Sequence, residues 1–555
     1  MIQLSKAKSQ TFMFGAVILM ISNIVVKIIG ALLRIPLTNI IGVEGMAYYN
    51  AAYSIYVSFY MISTAGIPVA VSRMIATAKS DNNHKEVKRI FDVAFALFFV
   101  IGFLGTAAML LFSKNFAGSA KMPDSYLAMM AIAPTIFFIC LSSAYRGYFQ
   151  GMQNMVPTAV SQVIESAAKL GIGIVAAVYF TKNGYPMHVV AAYVILGVTV
   201  GVFLGVVYGF FVKKMYTSSA EYKDELYSCD KSCRSYKKIL RELIIIAIPI
   251  TLASSIMGLT NVVDTMVFAN GLQSFGMSES LATSYYGTYT SMVYPLFNLV
   301  PPFIYTFGIS AIPAISAAVA RGDKMKASRD IESAFRNCAI IALPCAIGLA
   351  SLSKRVISFL FKNEELANGI TTLDIASDAL SAIAVGILFL GIISITNSVL
   401  QACKMERYTI VSTASGIVVK IVSTYFLSRI PGLGLLGAAF GTLLCYFSIM
   451  ALNLFFMIIK TGFALNFVKI FSKPLISGVL CGVAAVGVSS LCNVANLSNR
   501  LSTVASIGAA GVVYVVVLLL LRGLNRYDVM MMPKGTKLCA VLDRFHLLEK
   551  DDIND

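Results

Sequence analysis

Tryptophan is absent, and histidine occurs only at His84, His188 and His546. Charge is scarce: Asp, Glu, Lys and Arg make up 13% of the 555 residues, against about 25% in soluble proteins. So few charges cannot clothe a water-soluble surface of this size. There is no G-x-x-x-x-G-K-[ST] phosphate loop, which excludes ATP hydrolysis by that machinery. The longest polar stretch, Lys213 to Arg241, is too short to hold a catalytic domain. No cluster of carboxylates or histidines marks a membrane-interface transferase, so the chain does not read as an enzyme. Of ten cysteines, five (Cys140, Cys338, Cys345, Cys445, Cys481) lie inside apolar runs, where Cys packs as a small apolar residue. Cys229 and Cys233 have no second pair or nearby histidine, so no metal site is expected.

What is there is apolar. Hydrophobic residues reach 58% and the mean hydropathy is +0.79. A membrane-spanning helix needs about 20 apolar residues. Segments of that kind fall near 11–33, 46–71, 91–113, 126–149, 157–180, 188–212, 242–268, 284–314, 334–352, 375–402, 408–428, 435–459, 473–492 and 501–521. The first is too long for a signal peptide, carries Lys27 and is closed by no small-x-small cleavage site. The fold expected is therefore an all-α polytopic membrane protein of about 14 transmembrane helices.

The formal net charge of +17 raises a nucleic-acid reading. Position decides against it. With the N-terminus inside, 32 Lys and Arg fall on the cytoplasmic side, 9 outside, and Lys27, Lys169 and Lys420 within helices. That bias is the positive-inside rule and places both termini in the cytoplasm of a multi-pass protein of the cell membrane. No nucleic-acid partner is needed to account for the charge.

The basic stretch 213–241 divides the chain into a six-helix lobe, 1–212, and a second six-helix lobe, 242–460. Two extra helices, 461–521, and a cytoplasmic tail, 522–555, follow. The lobes echo each other at an offset of 251 residues: Gln150 with Gln401, Thr158 with Thr409, Ser161 with Ser412, and Lys169 with Lys420. Hence the expectation of two pseudo-repeated lobes plus two C-terminal helices.

Charges inside membranes are costly and usually face a bundle interior or an aqueous cavity. Lys169 stands twelve residues into the fifth span, about 18 Å deep at 1.5 Å per residue. Lys420 takes the matching place in the other lobe. Lys27 and Arg34 share a face of the first span, and Asp264 lies near the end of the seventh. Glu165, four residues before Lys169, is placed to pair with it. Tyr49, Tyr53, Tyr56 and Tyr60 form one helical stripe. Two readings stand for these residues. One is a cationic cavity lined by tyrosines, suited to an anionic, sugar-bearing headgroup; the other is a structural Glu165–Lys169 pair with tyrosines that only pack. Pro295, Pro301, Pro302 and Pro313 break the eighth span, as is tolerated beside a cavity or a moving part.

The segment from Arg146 to Glu165 (RGYFQGMQNMVPTAVSQVIE) resembles the signature of the stage V sporulation protein B and polysaccharide-biosynthesis family. So do Lys27 to Gly42 (KIIGALLRIPLTNIIG) and Pro431 to Thr442 (PGLGLLGAAFGT). That family belongs to the multidrug/oligosaccharidyl-lipid/polysaccharide exporter superfamily, beside the MurJ-type lipid II flippases. The resemblance implies a flippase that moves an undecaprenyl-diphosphate-linked glycan across the bilayer by alternating access. Lipid II is the leading cargo, with a possible role at the spore cortex. It further implies basic residues of the first two helices in a central cavity, matched in kind by Lys27, Arg34 and Arg73. The last two helices would form a groove for the lipid tail. No cofactor is expected beyond the membrane potential or a monovalent coupling ion, and the chain is expected to act as a monomer. The alternatives are a cation-coupled multidrug antiporter, which should show an acidic cavity, and a flippase for another envelope polysaccharide.

Overall fold

The computed structural model describes residues 12–219, 232–274, 276–367, 369–430, 433–463, 465–495, 497–526 and 539. These residues divide into two units, ending and starting at Ser291 and Met292, and each is treated by itself.

The first unit is built from α1 (Phe12–Ser80), α2 (His84–Ser119), α3 (Tyr126–Gly151), α4 (Val156–Lys182), α5 (Met187–Thr217), α6 (Tyr236–Ser274) and α7 (Glu279–Thr288). α1 runs through the first and second expected spans without a loop. Its one departure from helical backbone is Gly42, at φ 68°, a left-handed value at which only glycine avoids a Cβ clash. α2 begins at a reciprocal cap: Asn83 accepts from the Glu86 N–H, while its own amide donates to the Glu86 carboxylate. The Glu86 carboxylate also meets Arg234, which bridges on to Glu242, so the residues leading into α6 are tied to the start of α2. Behind this tie lies an apolar core that includes Phe91, Phe98, Tyr145, Tyr148, Phe149 and Leu243.

α5 carries glycine at 197, 201, 205 and 209, one every fourth residue, all buried. Spacing of four puts them on a single face, where a side chain would force the next helix away. A Cβ on Gly201 would stand 2.6 Å from the Glu165 carbonyl oxygen, and one on Gly197 3.4 Å from that of Lys169. The stripe lets α4 and α5 approach backbone to backbone along the stretch of α4 that carries its charges.

The second unit comprises α8 (Pro301–Ala320), α9 (Lys324–Ser351), α10 (Ser353–Leu360), α11 (Thr372–Ala384), α12 (Gly386–Ala402), α13 (Glu406–Leu427), α14 (Gly434–Thr461), α15 (Phe467–Val494) and α16 (Asn499–Leu520). A short antiparallel hairpin, β1 (Glu365–Ala367) and β2 (Ile370–Thr371), precedes α11. α15 and α16 share a small core of Cys481, Ala485, Ala510 and Tyr514 with Leu352. Arg355 of α10 fastens their ends: its guanidinium donates to Ser502 Oγ at 2.6 Å, the Ser489 carbonyl at 3.0 Å and Asn493 Oδ1 at 2.8 Å.

Among the described residues, eleven helices are long and apolar enough to cross a membrane. The first of them, Ile21–Ser80, covers most of two expected segments, and the seventh segment falls on α6. The eighth segment, 284–314, is interrupted, as its prolines lead one to expect. The chain passes from α7 through a π-helical turn, Tyr289–Val293, and a single helical turn, Tyr294–Phe297, before α8 starts at Pro301. Proline supplies no N–H, so Pro295, Pro301 and Pro302 sit at helix starts, whereas Pro313, also expected to break the span, lies inside α8. Large apolar side chains such as Phe103, Leu111, Val175, Val483 and Leu520 face outward over more than half their surface. That is a liability in water and the normal state in a bilayer. The chain is an all-helical, multi-pass membrane protein.

Candidate functional site

The tyrosine stripe is real and continuous. Along α1, the Tyr49 and Tyr53 rings stack 5.8 Å apart, Tyr53 and Tyr56 lie at 5.5 Å, and Tyr56 and Tyr60 at 6.0 Å. Tyr49 and Tyr56 are buried, at 2% and 5% exposure.

Lys169 comes to this stripe from α4. Its ammonium sits 4.3 Å from the centre of the Tyr53 ring, a cation–π contact. It is not paired with Glu165. The Glu165 carboxylate instead accepts from Arg146 of α3 at 2.5 Å, with Ser142 Oγ donating to the same oxygen at 3.4 Å. The expected local pair is therefore corrected. Arg146, only 6% exposed, would be a buried charge without a counter-ion unless it took the carboxylate. A small cavity beside the pair is lined by Arg146, Thr158, Ser161, Gly205 and Gly209.

Arg34, half-buried on α1, donates to the Thr290 carbonyl at 3.0 Å, and Asn50 donates to Thr290 Oγ1 at 3.1 Å. Thr290 stands in the π-helical turn. Five residues on is Pro295, which has no N–H for a π-type bond, so the carbonyl is free to take the guanidinium. Arg34 and Lys169 are close enough to feel each other's charge.

The structure thus brings together Arg34, Tyr53, Tyr56, Glu165 and Lys169 of the expected set. Lys27, on the same helix as Arg34, has an exposed side chain, and Arg73 is exposed toward the end of α1. Lys420 lies on α13 in the second unit and is buried, at 6% exposure. Asp264 falls on α6, but its side chain lies outside the described residues, as does Cys229. Among the described residues no three His, Cys, Asp or Glu gather as metal ligands. Sequence reasoning missed Arg146 as a buried group, having counted it with the cytoplasmic charges. The signal available was its place at the head of the signature segment that Glu165 closes.

The family described as polysaccharide biosynthesis protein matches residues 13–319. The chain belongs to this family. Among curated relatives, stage V sporulation protein B of Bacillus subtilis (strain 168) is 27% identical over 432 residues, 78% of this chain and 80% of that one. Lipid II flippase MurJ of the same organism is 23% identical over 493 residues, 86% and 88% of the two chains. Among solved structures, lipid II flippase MurJ in an inward closed conformation matches with a TM-score of 0.66 at 15% identity, over 91% of this chain and 98% of that one. An inward-facing multidrug resistance MATE family transporter of the MOP superfamily matches with a TM-score of 0.60 at 15% identity, over 78% and 94%. The fold is that of these solved structures.

Proposed function

We propose that this protein flips a lipid-linked glycan precursor across the cytoplasmic membrane, with undecaprenyl-diphosphate-linked lipid II as the cargo. The observation that carries the reading is Lys169, an ammonium held against a row of tyrosines with its neighbouring carboxylate already taken by Arg146. A cation so placed, with Arg34 nearby, suits a diphosphate, and the stacked tyrosine rings suit sugar faces and hydroxyls. A cation-coupled drug antiporter would call for an unneutralised carboxylate here, and Glu165 is neutralised. Similarity to a lipid II flippase over most of the chain supports the same cargo. Similarity to a stage V sporulation protein supports a place in spore-wall synthesis.

On this reading the protein works as a monomer by alternating access. Both termini face the cytoplasm, the cargo moves outward, and the membrane potential or a monovalent ion supplies the drive. The test is depletion of the protein followed by labelling of outward-facing lipid II. Loss of labelled lipid II with its inner-leaflet pool intact or enlarged supports the proposal. Unchanged labelling while another lipid-linked glycan accumulates inside would sink lipid II as the cargo.

A further inference from the structure

We propose that Arg146 is a positioning residue for Lys169: by taking the Glu165 carboxylate, it keeps the Lys169 ammonium without an anionic partner among the described residues and so available to an anionic ligand. The inference rests on the reading of Lys169 as a ligand-facing cation.

A glutamate four residues before a lysine on one helix is the favourable orientation for an ion pair. Glu165 and Lys169 have that spacing on α4. A local pair would cancel the lysine's charge at the site and compete with any diphosphate. Two features from outside α4 prevent it. Arg146, one helix away, binds the carboxylate at 2.5 Å and Ser142 adds a second donor. Gly205 of α5 leaves the space in which the carboxylate lies, since a Cβ there would stand 2.5 Å from Glu165 Oε1 and 3.1 Å from its Cδ. With the carboxylate drawn aside, Lys169 rests on Tyr53. A cation–π contact offsets part of the cost of burying an ammonium and leaves its full charge in place. Arg146 therefore acts on the ligand through Glu165 and Lys169 and not by touching it.

The experiment compares purified R146M, R146K, R146M/E165Q and K169Q variants for binding of undecaprenyl diphosphate. R146M should weaken binding about tenfold, the loss expected for one charge-assisted hydrogen bond. R146K, which keeps a cation for Glu165, should lose less than about threefold, and R146M/E165Q should recover most of the affinity. Adding K169Q to R146M should cost nothing further. R146M/E165Q as weak as R146M, or R146M lowering affinity in the K169Q background, overturns the proposal. If R146M does not fold, R146M/E165Q, in which both members of the buried ion pair are neutral, carries the comparison. Binding by it no better than by K169Q is then the overturning result. A ligand-free cryo-EM structure of R146M separates this inference from the reading beneath it. Glu165 swung onto Lys169 supports the positioning role whatever the ligand, and Glu165 left against α3 refutes it. K169Q binding as wild type refutes only the ligand-facing reading.

Discussion

Lys169 Nζ lies 4.3 Å from the centre of the Tyr53 ring, and this contact, not an ion pair, is where the charge of α4 meets α1. Cation–π contacts are worth about 0.5–2 kcal/mol, more when desolvated. Phenylalanine keeps the ring face and leucine does not. Tyr53→Phe should therefore hold Lys169 in place, and Tyr53→Leu should lower transport by about threefold to thirtyfold at matched abundance. Lipid II exposure per unit of membrane protein is the measurement. Equal losses in both variants would assign the role to the hydroxyl instead.

The glycine stripe makes a sharper claim about packing. Gly205→Ala sets a methyl against the Glu165 carboxylate, and overpacking of this kind costs about 1–3 kcal/mol. Gly511→Ala on α16, where no atom lies within 4 Å of the added Cβ, is the control. Thermal unfolding in detergent should drop for the first and stay level for the second. Equal midpoints would mean that α4 and α5 separate freely.

How much of this was legible in the sequence differs from element to element. The apolar runs gave away the helical membrane fold, and the i, i+4, i+7, i+11 tyrosines gave away their shared face, because both are periodic. The partner of Glu165 was hidden. Spacing offers Lys169 on the same helix, whereas Arg146 arrives from another helix through tertiary packing. Counting Arg146 as a loop charge followed from averaging hydropathy along the chain, which cannot see one buried guanidinium 6% exposed. The break around Pro295 was legible from the prolines, but the Thr290 carbonyl that Arg34 finds was not, because that contact comes from tertiary packing. The boundaries of the lobes and the cytoplasmic placing of the termini remain expectations drawn from charge.

Arg355 offers a test in the second unit alone. Its three hydrogen bonds join α10 to the facing ends of α15 and α16. Loss of a charged donor that satisfies several acceptors costs about 1–3 kcal/mol. Arg355→Ala should loosen the last two helices and hasten protease cleavage near 495–500 in detergent-solubilised protein. Cleavage at the wild-type rate would show that the core of Cys481, Ala510 and Tyr514 holds the pair unaided.

Topology is tested at Ser219, which follows the end of α5 and whose hydroxyl donates to the Tyr216 carbonyl. The excess of basic residues predicts a cytoplasmic position for this stretch. In a background without accessible cysteines, Ser219→Cys should resist impermeant thiol reagents in intact cells and react once the membrane is opened. Labelling in intact cells would reverse the orientation, and with it the direction of transport proposed above.

Lys420 is the counterpart that the sequence repeat offers for Lys169, and its surroundings set a different expectation for it. Lys169 is half-buried against an aromatic ring, whereas Lys420 is 6% exposed on α13. A nearly enclosed ammonium is costly to bury and is held by its protein surroundings, so removing its charge first changes folding. A half-buried one can still reach a ligand. Lys169→Gln should therefore impair lipid II exposure severely while the protein inserts normally, with Lys169→Arg restoring part of it. Lys420→Gln should change thermal stability and abundance at least as much as transport. The two variants are compared at matched protein level, with transport divided by the folded fraction. If Lys420→Gln loses transport at wild-type stability, both lysines serve the cargo and the repeat carries one function twice. If Lys169→Gln transports normally, the cationic site of the first unit must rest on Arg34.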